Sequence, residues 1–140
     1  MTSATSSIPS RRPAGVTALA LFFIFGATMS FLAAVVLATP GGPLEFMWRI
    51  NPQAREGFRA LGFLAVPLML MVSAACAAAA HGLWNRRTWG RYLAITILTI
   101  NVLGDASNAW FRHDWRTLIG IPIGGAMIWY LLSRRSVFAG

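Results

Sequence analysis

AGVTALALFFIFGATMSFLAAVVLA, residues 14–38, is a run of 25 residues without a charge, stopped by Pro13 before it and by Thr39-Pro40-Gly41-Gly42-Pro43 after it. As a helix it would be about 37 Å long, enough to cross a hydrocarbon core of about 30 Å. Three more apolar runs follow, from about Gly57 to Ala80, from Trp89 to Trp110 and, shorter, from Arg116 to Ser133. Their short connections leave little chain for soluble structure. The pattern predicts an all-α membrane protein, a four-transmembrane-helix bundle forming one domain over residues 1–140. Residues 1–13, rich in Ser, Thr and Pro and without apolar periodicity, read as a disordered cytoplasmic tail.

Composition points the same way. With 56% hydrophobic and 11% charged residues, the chain has an apolar surplus that must face lipid. Its net charge of +8 comes from arginine alone, and no lysine occurs. The arginines stand at the ends of apolar runs, not along one face, which makes them topology signals and argues against nucleic acid as a partner. An all-arginine basic set with abundant alanine points to a bacterial genome rich in G and C. Cys76, the sole cysteine, lies inside the second run, so it reads as a small core thiol and not as half of a disulfide or CxxC pair.

Arginine placement predicts the orientation, because positive loops are retained on the cytoplasmic side during insertion. Arg11 and Arg12 precede the first run, Arg86, Arg87 and Arg91 flank the second connection, and Arg134 and Arg135 follow the fourth run. Arg49, Arg55, Arg59, Arg112 and Arg116 fall on the other side with the four acids Glu45, Glu56, Asp105 and Asp114, five positive charges less four negative, a net of +1. Both termini are therefore expected in the cytoplasm, in a multi-pass chain of a bacterial inner membrane. Trp84 and Trp89 would mark the inner interface, and Trp48, Trp110 and Trp115 the outer one. An alternative takes the first run as a cleaved signal peptide, with Val36-Leu37-Ala38 at the cleavage site and Arg11-Arg12 as a twin-arginine signal. The length of the run, beyond an h-region of about 7 to 15 residues, argues against it.

The connection between the first two runs holds Leu44-Glu45-Phe46-Met47-Trp48-Arg49-Ile50, whose mixed apolar and charged side chains suit a short interfacial helix on the outer side. Asn51-Pro52 then reads as an N-cap with proline at the first helical position, starting the second helix ahead of the lipid. The functional alternative is a lid over an outer cavity.

The third run carries the chemistry. Asn101, Asp105, Asn108 and Arg112 recur at spacings of four, three and four, one helical stripe roughly 60° wide. Asp105 is the only carboxylate inside any run, and an ionisable group at that depth either marks function or is held by protein partners. Folding the third and fourth runs into a hairpin about Phe111 to Asp114, with Asp114 as cap, sets Asn108 opposite Thr117, Asp105 opposite Gly120 and Asn101 opposite Gly124. Gly120 and Gly124 have the small-xxx-small spacing of packed membrane helices. Pro122 would leave the carbonyl of Leu118 without its helical donor, a vacancy that an Asn amide could fill, and Pro67 would free the carbonyl of Phe63 in the second run. Arg59 is expected to reach inward to Asp105, with Arg112 as the other candidate. This polar layer is either interhelical glue or an ion-binding site.

Other chemistry is disfavoured. His81 ends the second run and His113 lies beyond the third, on opposite sides of the membrane, so the two cannot share a metal or haem. No HExxH, GxSxG or Walker-type loop occurs. The expectation is therefore no enzyme, no metal and no cofactor. Small multidrug antiporters are similar in size and span number, but their carboxylate lies in the first helix, where this chain has none.

The run Gly82-Leu83-Trp84-Asn85-Arg86-Arg87-Thr88-Trp89-Gly90-Arg91-Tyr92-Leu93-Ala94 resembles the second inner loop of small bacterial four-span membrane proteins without an assigned activity. Leu103-Gly104-Asp105-Ala106-Ser107-Asn108 and Ile119-Gly120-Ile121-Pro122 resemble them as well, so that the likeness covers roughly residues 40 to 132. It implies a topology and no mechanism. The resulting expectation is a small accessory or structural membrane protein, with the lipid bilayer and either further copies or a larger membrane complex as partners. The alternative is a small proton- or cation-coupled transporter or channel that uses Asp105.

Overall fold

The computed structural model describes residues 12–113 and 115–138, without the side chain of Arg112. Most of the expected tail and the cap expected from Asp114 lie outside these residues. The described chain is helix and turn, with no strand. Its first element, α1 (Ala14–Ala38), coincides with the uncharged run. The Thr39 hydroxyl bonds back to the Val35 carbonyl at 2.7 Å, and Gly41, at φ +80°, turns the chain away. A single turn, α2 (Met47–Ile50), leads into α3 (Pro52–Leu61). The Asn51 side chain caps α3 by accepting from the Ala54 amide at 3.1 Å, and Pro52 takes the first position, where no amide is needed.

Gly62, at φ +55°, then breaks the helix. A 3-10 stretch over Gly62–Leu64 resets it into α4 (Ala65–Trp84). The same device recurs later: α5 (Thr88–Arg112) is followed by a 3-10 stretch over Trp115–Ile119, which opens into α6 (Gly120–Ser133). Pro67 and Pro122 are both third residues of an α-helix, so each falls in a first turn whose amides have no intrahelical acceptor. Each proline thus sits just after a 3-10 stretch, where the chain passes into an α-helix. A last 3-10 turn covers Arg135–Phe138.

Three helical stretches are long and apolar enough to cross a membrane, Ala14–Ala38, Pro52–Trp84 and Trp115–Ser133, and they mark a multi-pass membrane protein. The second begins at Pro52, five residues before the apolar run drawn from Gly57. Helix α5 matches α1 in length at 25 residues but is not among the three. Arg91, Asn101, Asp105 and Asn108 are the physical reason, since they lower its apolarity all along its length.

The long elements pack in chain order, α1 on α4, α4 on α5 and α5 on α6. Helices α1 and α4 approach through small residues: Ala20 and Ala79 are fully buried, Gly26 faces the Cys76 sulfur, and the Ser73 hydroxyl donates to the Ala27 carbonyl at 2.8 Å. The turn between α4 and α5 is tight. The Arg87 amide bonds to the Gly82 carbonyl at 2.8 Å, and the backbones of Gly82 and Gly90 touch so closely that neither position has room for a Cβ. The Tyr130 ring of α6 lies on Gly15 of α1. Around this arginine-rich end Val16, Phe23, Leu83, Ala94, Leu131 and Phe138 form the core. The far end holds the segment around α2 and α3, where Trp48 meets Phe58 edge to face and Arg55 pairs with Glu45 at 3.1 Å.

Candidate functional site

The polar stripe of α5 lies in the half of the helix beyond the core. Hydroxyls on this helix satisfy themselves: Thr96, Thr99 and Ser107 donate to the carbonyls of Tyr92, Ile95 and Leu103, four residues back, at 2.8–2.9 Å. Asn101, Asp105 and Asn108 cannot bond back in this way, and the structure gives each a different setting.

Asp105 is half-buried, and its carboxylate lies directly against the backbone of Gly120 on α6. Any side chain at residue 120 would occupy the space of the carboxylate. One turn away, in the 3-10 stretch ahead of α6, the Thr117 hydroxyl donates to the main-chain carbonyl of Asp105 at 3.2 Å, so Asp105 is engaged through its side chain by the start of α6 and through its backbone by that stretch. Gly124, set opposite Asn101 by the hairpin arithmetic, instead receives a methyl of Val102. Asn101 points elsewhere and lines a cleft of about 450 Å³ between α1, α4 and α5, together with Phe23, Gly26, Met71 and Cys76. Asn108 is exposed, and no bond from its amide to Leu118 forms. The stripe is therefore divided between the α5–α6 contact and the gap where the helices diverge.

Arg59 does not join it. Among the described residues the one ion pair is Arg55 with Glu45, and Arg59 lies exposed on α3. The cause is Gly62: its break takes α3 out of line with α4, so Arg59 does not stand one turn above Phe63 on a continuous helix. Arg112, the other candidate, is the last residue of α5, and its side chain lies outside the described residues. Pro67 and Pro122 start helices, as described above, and Gly120 and Gly124 are packing positions.

His81 and His113 end α4 and α5 at opposite ends of the molecule. Among the described residues no cluster of three or more His, Cys, Asp or Glu side chains could hold a metal ion. A second cleft, of about 520 Å³, lies at the far end against the Glu45–Arg55 pair, and is lined by Phe46, Trp48 and Arg49 as well.

Sequence reasoning passed over Arg91. It is the one charged side chain among the described buried residues, 6% exposed, and its Nε and Nη1 have no hydrogen-bond partner. A signal was present. Thr88, Arg91, Ala94 and Leu98 share one helical face, and Ala94 and Leu98 are core residues.

No family model matches the chain, and no curated protein or solved structure is significantly similar to it.

Proposed function

We propose that the chain is a four-span integral protein of a bacterial inner membrane, with both termini cytoplasmic, acting as an accessory or structural subunit in a homo-oligomer or a larger membrane complex. The observation that carries this reading is the setting of Asp105. Its carboxylate is seated on Gly120 and its carbonyl is held by Thr117, which makes the residue a fastening between α5 and α6. Neither the cleft of about 520 Å³ nor the one of about 450 Å³ includes Asp105 in its lining. What supports counting α5 as a span is its length of 25 residues, equal to that of α1, and its packing between α4 and α6.

Native mass spectrometry of the protein extracted from its own membrane in mild detergent tests the proposal, with wild type compared with Asp105→Asn. Partner subunits or further copies in a fixed ratio, unchanged by the substitution, support it. A monomer that loses a bound small molecule on substitution sinks it. One observation favours a second reading as a proton- or cation-coupled transporter or channel: Asp105 has no counter-charge among the described residues. That reading predicts that Asp105→Asn abolishes ion flux in vesicles while the protein stays folded.

A further inference from the structure

The arginine-rich end holds a charge that no described residue answers. Arg91, in the first turn of α5, is more than nine-tenths buried, and its Nε and Nη1 are closed to solvent with no acceptor. Its guanidinium lies over the Tyr92 ring at 4.8 Å, which accounts for one face of the group and for none of its N–H donors. A buried guanidinium with orphan donors is strongly destabilising unless an anion meets it. Among the described residues no acid meets it. The described acids Glu45, Glu56 and Asp105 belong to the far end or the far half of α5, while Arg12, Arg86, Arg87, Arg134 and Arg135 surround this end.

The surroundings suit an oxyanion. Arg91 stands in the first turn of α5, whose leading amides have no intrahelical acceptor and no side-chain cap at Arg87, and helical side chains lean toward the N-terminus. The 3-10 turn Arg135–Phe138 closes the face: the Thr88 hydroxyl donates to the Phe138 carbonyl at 2.5 Å, and the Phe138 ring sits in the core. Thr88 and Arg91 are neighbours on one face of α5, so the turn that Thr88 holds lies on the face that carries Arg91.

We propose that Arg91 and the N-terminus of α5 form a binding site for a phosphate oxyanion, carried by an anionic lipid headgroup or free in the cytoplasm, which is reached when the Arg135–Phe138 turn lifts. The inference rests on the membrane reading given above. Around a basic cytoplasmic end the lipid headgroup is the more abundant source.

The test is native mass spectrometry of purified full-length protein titrated with phosphatidylglycerol, with net-neutral phosphatidylcholine and with inorganic phosphate. Wild type is expected to retain one phosphatidylglycerol in preference to phosphatidylcholine. Arg91→Gln should weaken capture about tenfold or more, whereas Arg135→Gln, an exposed arginine of the same end, should change it about twofold or less. Thr88→Val removes the hydrogen bond that holds the turn and should tighten capture about fivefold. If Arg91→Gln does not fold, Arg91→Lys keeps the charge without the planar fork and is expected to fold and bind more weakly than wild type. Binding of inorganic phosphate with the same dependence on Arg91 assigns the site to the soluble anion, and lipid capture alone assigns it to the headgroup. Capture that ignores Arg91, or equal retention of the two lipids with no phosphate binding, overturns the site. A protein that purifies without detergent overturns the membrane reading and this inference together, whereas unselective capture by a detergent-requiring protein overturns the inference alone.

Discussion

Where α4 turns into α5, the molecule is held by its own atoms; at the opposite end it relies on what surrounds it. At the first place Gly82 and Gly90 meet backbone to backbone, and Leu83, Ala94, Leu131 and Phe138 close over the contact. At the second, Trp110 and Phe111 are each 80% exposed and Trp115 is 70% exposed. In water such a cluster of bare rings would be a liability, but at the edge of a bilayer it is the aromatic belt expected there. The lesson is that one end is packed by the chain's own atoms, while the other leaves large aromatic rings uncovered. Substitutions should therefore act unequally at the two ends.

The largest effect is expected at the glycine seam. Gly90→Leu drives a side chain into the Gly82 backbone, which cannot rotate away, and should remove about 3 kcal/mol or more in detergent-based thermal unfolding, or prevent accumulation altogether. A fully folded Gly90→Leu protein would break the comparison. At the α5–α6 contact the obstacle is a movable carboxylate, so Gly120→Ala should remove only about 1–2 kcal/mol. Adding Asp105→Ala should recover about 1 kcal/mol of that loss, a coupling readable in a double-mutant cycle. Ser73→Ala, which loses the single bond to Ala27, should remove about 0.6 kcal/mol. Smallest of all, Arg59→Ala and Asp105→Ala should combine additively within about 0.5 kcal/mol. A larger coupling between them would restore the ion pair that the structure does not contain.

How far each feature could be read from sequence depended on whether its cause was local. The ends of α1 are local: Pro13, Pro40 and Gly41 stop the helix whatever lies around it. The cap of α3 by Asn51 is local too. The break at Gly62 is not legible in an apolar run. Gly62 adopts a positive φ, and a 3-10 stretch follows before α4 begins at Ala65; nothing in the sequence of that run marks it off from the glycines packed inside helices. The meeting of Asp105 with Gly120 could be reached by counting depths from the hairpin turn, because it lies only a few turns away. Farther along, the same count misplaces Asn101, since depth does not say how two diverging helices rotate, and Val102 takes the place against Gly124. Arg91 looked like one more basic residue beside a turn. The turn held against the same face by Thr88 comes from residues 135–138, some 44 positions or more later in the chain, and no local pattern announces that.

Whether α5 crosses the membrane decides the account, because α5 joins the arginine-rich end to the far end and is the long helix that falls short in apolarity. In a Cys76→Ala background, single cysteines at Asn85→Cys and His113→Cys can be challenged in intact cells with a thiol reagent that does not cross the inner membrane. The account predicts labelling of the cysteine at residue 113 from outside and protection of the one at residue 85 until the membrane is opened. Equal labelling, or equal protection, of the two positions would place both ends of α5 on one side and contradict it.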